Sequence, residues 1–135
     1  MFINRETDYA LRILRSLSDG QQRSAPEICT RELIPQSFAY KILKKLASAK
    51  ILTVSRGNNG GCRLARELTD ISLFDVMRAV DPDAALNECM AAGKVCQWRS
   101  KNDGFCHIHH RLCRLQQELD DKMRQLSVFD LLFTD

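Results

Sequence analysis

The 135-residue sequence has no hydrophobic run of the length that crosses a membrane. A membrane helix needs about 18–20 mainly apolar residues, and a secretory signal peptide needs a continuous apolar core. The N-terminal stretch MFINRETDYALRIL is instead charged and amphipathic. We therefore expect a cytoplasmic protein, and in that compartment clustered cysteines are more often ligands or redox groups than permanent disulfides.

The sequence also lacks internal repeats, low-complexity tracts and any pair of cysteines separated by two residues. The length of 135 residues is that of one ordinary domain, or of one small domain plus an appended element. The absence of such a cysteine pair disfavours structural zinc, because zinc fingers usually pair cysteines about two to four residues apart. No acid–base pair for catalysis can be identified, so we expect no enzyme. Of two isolated cysteines, Cys29 is expected to be a buried structural residue, and Cys62 is expected to be a small strand residue of the hairpin rather than a redox thiol.

Charge is distributed unevenly along the chain. Residues 1–66 carry 12 Lys and Arg against 5 Asp and Glu, a net charge of +7, whereas residues 67–135 carry a net charge of −4. A basic half joined to an acidic half is typical of a nucleic-acid-binding module with a separate second function. Solvation alone also produces charged surfaces, so charge is one indication among several of a DNA-binding protein.

The first half of the sequence predicts three short helices followed by a hairpin. Apolar residues recur at helical spacing in residues 5–18, Ser24 caps a short second helix, and a third helix follows Pro35. Residues 51–65 contain two strand-like runs around the turn sequence RGNNGG. This order predicts a mainly α fold with a β-hairpin wing (α+β), a winged helix-turn-helix.

The third helix is the expected DNA-reading element. Its apolar stripe occupies one side, and polar and basic side chains occupy the other. Lysines there would neutralise phosphates, and polar side chains near the helix N-terminus would reach base edges. An arginine at the tip of the wing would enter a minor groove. The candidate DNA-binding residues are Gln36, Ser37, Tyr40, Lys41, Lys44 and Arg56.

The second half predicts a short capped helix, a loop and a long helix that runs from about residue 107 to Gln125. The long helix carries an apolar stripe that is either intrachain core or a coiled-coil-like dimer seam, and the small size of the protein favours the dimer. The stripe comprises Leu112, Leu115, Leu119, Met123 and Leu126. The predicted units are a DNA-binding domain (1–82), a cysteine-rich loop (83–106), and a dimerisation helix with its tail (107–135).

The stretch CMAAGKVCQWRSKNDGFCHIHHRLC, residues 89–113, contains four of the six cysteines and all three histidines. Cys106, His109, His110 and Cys113 are three or four residues apart, so they share one face of the expected helix. Thiolates and imidazoles bind iron–sulfur clusters and zinc. The soft sulfur donors and the spacing of the cysteines favour an iron–sulfur site. A zinc site and a metal-free thiol site remain as alternatives.

Five stretches carry a family resemblance: INRETDYALRIL, IPQSFAYKILKKLASAKIL, SRGNNGGCRLAR, ISLFDVMRAVDP and QLSVFDLL. They resemble the IscR/NsrR family (Rrf-two type) of bacterial winged-helix transcription regulators, over essentially the whole chain. The resemblance implies a homodimer, crossed by the long C-terminal helix, that binds palindromic operators. It also implies an iron–sulfur cluster, 2Fe-2S or 4Fe-4S, on three cysteines in the loop before that helix.

The resemblance assigns the three cysteine ligands to Cys89, Cys96 and Cys106. The first gap, of six residues, fits the family pattern, and the second, of nine, is longer through an insertion, WRSKNDG. A longer loop is tolerated because the entropy of loop closure grows slowly with length. The resemblance implies a fourth ligand in one of two forms, His109 or Asp8 of the partner subunit.

We therefore expect a cytoplasmic homodimeric repressor whose cluster senses redox, iron or nitric oxide status. Cys113 is a third candidate for the fourth ligand, although its place beside the leucine stripe favours core or dimer packing. Two alternatives stay open: a metal-free, thiol-based DNA-binding regulator, and a small iron–sulfur carrier or electron-transfer protein.

Overall fold

The structure, a computed structural model, describes residues 3–135. This part of the chain forms seven α-helices and one two-stranded sheet. The helices are α1 (Arg5–Ser16), α2 (Ala25–Glu32), α3 (Gln36–Ser48), α4 (Leu73–Val80), α5 (Gln97–Lys101), α6 (His107–Gln125) and α7 (Val128–Phe133), and the strands are β1 (Leu52–Ser55) and β2 (Gly61–Leu64). Two short 3-10 helices cover Leu68–Asp70 and Glu88–Met90. Within residues 3–135, no helix is both long and apolar enough to cross a membrane.

Short polar side chains determine where the helices begin. Asn4 caps α1 and Ser24 caps α2, each through a side-chain oxygen that accepts a backbone N–H three residues later. Ser72 and Asp75 form a reciprocal capping box at α4, as the sequence predicts. Such caps satisfy backbone donors that have no acceptor inside the helix.

The first three helices bury their apolar stripes against one another. Ile13 and Leu14 of α1, Ile28 of α2, and Ile42 and Leu46 of α3 are fully buried in one cluster. Burial of such aliphatic side chains is the main favourable contribution to folding. Because the apolar stripe of α3 faces inward, its polar side is left for solvent. The predicted helix-turn-helix is confirmed.

The wing follows α3 directly. β1 and β2 pair antiparallel, with Leu52 opposite Leu64 and Ser55 opposite Gly61, so residues 56–60 form the connecting loop. Gly57 in this loop has a φ of +104°, a conformation that side chains with a Cβ rarely adopt. The hairpin prediction is confirmed, and Gly57 of the turn sequence is explained by the backbone conformation it allows.

The wing is hydrogen-bonded to the segment between α1 and α2. The backbone N–H of Arg23 donates to the carbonyl oxygen of Cys62 at 2.9 Å, and the N–H of Cys62 donates back at 2.7 Å. The carboxylate of Asp19 forms an ion pair with the Arg23 guanidinium. The two backbone hydrogen bonds position the hairpin relative to the helix-turn-helix, and the ion pair lies within the segment that receives them.

The C-terminal part of the chain returns to the same core. The N–H of Leu73 donates to the carbonyl oxygen of Leu126 at 2.9 Å, and the N–H of Val128 donates to that of Ile71 at 2.8 Å. Val128 is fully buried in the main cluster. The predicted division into three units stays a prediction, but the tail after α6 packs on the predicted DNA-binding domain.

The apolar stripe of α6 divides into two parts. Met123 is buried against Leu73 and Met77 of α4, and Leu119 and Leu126 pack on the same cluster. This part contributes to intrachain core, one of the two alternatives that the sequence leaves open for the stripe. The reason is that α4 supplies an apolar face that the long helix covers. Leu115, further toward the N-terminus of α6, is 46% exposed.

The cysteine-rich segment is anchored at its beginning. The guanidinium of Arg78 donates to the carbonyl oxygens of Pro82 and Ala84 at 2.7 and 3.2 Å. The side chain of Gln116, buried on α6, accepts the backbone N–H of Leu86 at 2.9 Å. The segment expected to be a loop therefore starts from a fixed position, and it also contains α5 and a 3-10 helix.

Replacement of Met123 by alanine tests the packing of α6 on α4. We expect Met123→Ala to lower the free energy of unfolding by about 2–5 kcal/mol, because it leaves a cavity in a buried cluster. Lys122→Ala, an exposed position on the same helix, should change that free energy by less than about 0.5 kcal/mol. Urea unfolding followed by circular dichroism, at one fixed protein concentration, measures both. Equal effects would contradict this packing.

Candidate functional site

The outward face of α3 carries the predicted DNA-reading residues. Gln36, Ser37, Tyr40, Lys41 and Lys44 are all exposed. Tyr40 is 56% exposed, so its ring lies on the same solvent-facing side as the lysines. The side chains are brought to one surface, while their contact with DNA stays a prediction.

A groove of about 560 Å³ separates this face from the wing. Tyr40 and Lys44 of α3 line one side, and Val54 and Gly57 of the hairpin line the other. Arg56, the predicted minor-groove residue, is exposed in the loop at the tip of the wing. The recognition helix and the wing therefore form two adjacent walls that open to solvent.

Two lysines of α3 are held by one carboxylate of α1. Glu6 Oε1 lies 2.6 Å from Lys41 Nζ, and Glu6 Oε2 lies 2.6 Å from Lys45 Nζ. The hydrogen bond from Lys41, followed by that from Lys45, holds the pKa of Glu6 below its usual value. Lys45 Nζ also donates to the carbonyl oxygen of Val80 at 2.5 Å. Sequence reasoning missed this network, since 35 or more residues separate the partners.

A second candidate site is centred on His109, near the N-terminus of α6. Its Nδ1 lies 3.5 Å from the sulfur of Cys89, and its Nε2 lies 3.4 Å from the sulfur of Cys113. The backbone N–H of His109 donates to the sulfur of Cys106, which caps α6, at 3.5 Å. Two sulfurs therefore contact the imidazole of His109, a third contacts its backbone N–H, and His110 is exposed.

Two predicted ligands lie outside these contacts. Cys96 is half-buried at the N-cap of α5, where its side chain makes no capping hydrogen bond. Asp8 lies on α1, and its carboxylate forms an ion pair with Arg12 at 2.9 Å. The ligand roles of Cys96 and of Asp8 of the partner subunit stay predictions, as do those of the three clustered cysteines and His109.

The donor set suits a soft metal site in its chemistry. Thiolates with one imidazole or carboxylate are the ligands that iron–sulfur clusters use. Within residues 3–135, no group of three or more Cys, His, Asp or Glu side chains is already arranged around one point that could hold a metal ion. In this structure the His109 ring lies between the sulfurs of Cys89 and Cys113.

The two cysteines outside the segment are structural, as expected from the sequence. Cys29 and Cys62 are buried in the main core. Burial raises the pKa of both thiols, because a thiolate is poorly solvated there. Neither is suited to bind a metal or to react as a nucleophile in the folded protein.

Comparison with known proteins decides the family. The profile of Rrf2, described as an iron-dependent transcriptional regulator, matches residues 3–134. The chain belongs to the Rrf2 family. Protein aau3 of Rhizobium meliloti (strain 1021) is 36% identical over 97 residues, which make up 70% of this chain and 63% of that relative. The match therefore spans less than two thirds of the length of the relative.

Solved structures share the Rrf2 winged-helix fold. The T. potens IscR structure has a TM-score of 0.70 at 17% identity, over 96% of this chain and 84% of that one. CymR (YrzC), the global cysteine regulator of B. subtilis, has a TM-score of 0.69 at 18% identity, over 98% of both chains. The oxidized form of Staphylococcus aureus CymR has a TM-score of 0.68 at 18% identity, over 98% of this chain and 97% of that one. At such identities the likeness shows the fold alone, and it confirms the predicted fold class.

Burial predicts which cysteines of this Rrf2 protein react. In metal-free protein at neutral pH, we expect iodoacetamide to alkylate Cys89, Cys96, Cys106 and Cys113 about tenfold or more faster than the two core cysteines, because alkylation needs an accessible thiolate. Peptide mass spectrometry on timed samples measures the six rates. In urea the six rates should converge, and convergence without urea would contradict the burial of Cys29 and Cys62.

Proposed function

We propose that the protein is a cytoplasmic, homodimeric DNA-binding transcription regulator, in which an iron–sulfur cluster on the cysteine-rich segment controls DNA binding. One observation carries the proposal. The same chain presents an exposed basic helix beside a wing and, on a segment anchored to α4 and α6, a group of cysteines around His109. Membership of a family described as iron-dependent transcriptional regulators supports the combination.

The DNA-binding part rests on charge and shape. Lys44 lines the groove between α3 and the wing, Lys41 shares its face of the helix, and Arg56 extends the positive charge to the wing tip. Cations spaced along a convex helix can neutralise successive phosphates, while Gln36 and Ser37 at the helix N-terminus reach base edges. The acidic residues are concentrated in the other half of the chain.

The dimer is proposed from the surface of α6. Ile108 is 68% exposed and Leu115 is 46% exposed, whereas the C-terminal half of the same helix is covered by α4. A helix that leaves apolar side chains uncovered in one subunit favours pairing with a second subunit. A dimer would present two reading helices, as a palindromic operator requires.

Cys89, Cys96 and Cys106 are proposed to hold the cluster, with His109 or Asp8 of the partner subunit as the fourth ligand, and Cys113 as a further candidate. Such a cluster, when bound, supplies a group that is sensitive to redox state, iron supply and nitric oxide. Cys106 and His109 are fixed by α6, and Cys89 follows the anchor at Leu86. Cys96 would join them from α5. The conformation of residues 84–106 would therefore differ between the protein with the cluster and the protein without it.

A metal-free thiol regulator is the second candidate. The imidazole of His109 contacts the sulfurs of Cys89 and Cys113 without any metal. The relatives named above include a cysteine regulator and a protein solved in an oxidized form. A small iron–sulfur carrier is the remaining alternative, and unlike a regulator it would not depend on the lysines of α3.

Metal content tests the cluster. Protein purified without oxygen should contain iron and sulfide in similar amounts and absorb visible light, and Cys96→Ala should lose both iron and colour while its circular dichroism stays unchanged. Cys29→Ala is the matched control, because Cys29 is a buried core residue, and it should keep the cluster. A colourless or zinc-only wild-type protein that still binds DNA would overturn the cluster in favour of a thiol regulator.

Loss of one lysine tests DNA binding. We expect Lys44→Ala to weaken binding to a mixed-sequence DNA duplex, and to reduce the slope of log affinity against log salt by about one, as for the loss of one phosphate contact. Fluorescence anisotropy at several salt concentrations measures both quantities. Lys122→Ala, which removes the same charge from α6, is the control. An equal effect of the two substitutions would argue against α3 as the DNA-binding element.

A further inference from the structure

Glu6 contacts a residue that the proposed DNA-binding face needs. The carboxylate lies in the first turn of α1 and accepts hydrogen bonds from Lys41 and Lys45 of α3, both at 2.6 Å. Lys41 belongs to the outward face of α3, together with Ser37 and Lys44. One of the lysines available for phosphate is therefore already paired with an anion of the same chain.

The two lysines play different parts in this network. Lys45 is 30% exposed and has a second acceptor, the carbonyl oxygen of Val80, so it is a structural contact between α3 and α4. Lys41 is 59% exposed and can turn toward solvent. Because Lys45 holds one oxygen of Glu6, the carboxylate stays beside α3, where its other oxygen meets Lys41.

We propose that Glu6 is an autoinhibitory residue that withholds Lys41 from DNA. The inference rests on the proposed DNA binding and adds an interaction within the chain that lowers the affinity for DNA. A phosphate that binds Lys41 must first replace the Glu6 carboxylate, so the contact between Lys41 and DNA gains less than a contact made by a lysine without such a partner. A partly exposed ion pair is weak enough for DNA to break it, and strong enough to lower affinity severalfold.

A double-mutant cycle tests this role. Wild type, Glu6→Gln, Lys41→Gln and the double variant are titrated against a mixed-sequence duplex at several salt concentrations, with fluorescence anisotropy as the readout. We expect Glu6→Gln to bind about two- to fivefold more tightly than wild type. Its slope of log affinity against log salt should be steeper, by at most about one, because Lys41 then neutralises a phosphate in every complex, whereas in wild type Glu6 competes for it. In the Lys41→Gln background, Glu6→Gln should have no effect.

The cycle separates this role from a general effect of charge. Glu67→Gln removes the same charge at an exposed position outside the network, and it should leave the salt slope unchanged. If Glu6→Gln tightens binding equally with and without Lys41, or no more than Glu67→Gln does, the role is wrong. A wild-type protein that binds no duplex would overturn the proposed function and this inference together, whereas binding that Glu6→Gln leaves unchanged would overturn only this inference.

A measurement on the wild-type protein covers the case in which Glu6→Gln fails to fold. Acetylation of free protein with acetic anhydride, followed by peptide mass spectrometry, compares the ammonium held by Glu6 with the exposed one of Lys44. We expect Lys41 to react several times more slowly than Lys44. Equal rates would show that Glu6 does not restrain Lys41 in solution, and would overturn the inference.

Discussion

The burial of one side of α3 is the constraint on which the rest of the structure depends. Ile42 and Leu46 are fully buried against α1 and α2, so every position on the opposite side of the helix must face solvent. Ile51 and Leu52, both buried, then set the direction in which the chain leaves α3 and enters the wing. Apolar packing therefore sets the position of the outward face of α3 relative to the wing. The polar residues on that face do not determine its position and need only tolerate contact with solvent.

Polar contacts connect this face to the beginning of the cysteine-rich segment. Lys45 reaches the carbonyl oxygen of Val80, the last residue of α4, and the amide of Asn4 donates to the carboxylate of Asp81 at 3.0 Å. Asn4 also caps α1, and Glu6 in the same turn holds Lys45. A displacement of the end of α4 would act on both α1 and α3 through these bonds, which form a continuous physical connection whose coupling energy double-mutant cycles can measure.

The sequence allowed the prediction of features that depend on neighbouring residues. Helical periodicity, the caps at Ser24 and Ser72 and the turn glycines gave the winged helix, and the resemblance gave the family. Contacts between residues far apart in the sequence were not predictable, because the residues of a short segment do not specify which distant segment they will contact. The bridge between Arg23 and Cys62 is one example. The burial of Val128 in the main core is another, since its helix has only six residues and no periodicity long enough to assign a side.

The proposed ligands differ in how firmly the fold fixes their positions, and this difference affects how the site could act as a sensor. His109 and Cys113 lie one turn apart on a 19-residue helix that Cys106 caps, so the backbone fixes their spacing. Cys96 lies at the start of α5, between turns at Gly93 and Gly104 that both have positive φ. Turns of this kind change direction with little steric cost. In the proposed site Cys96 would be the donor that the chain holds least firmly, so the arrangement of residues 84–106 would report whether that site is filled.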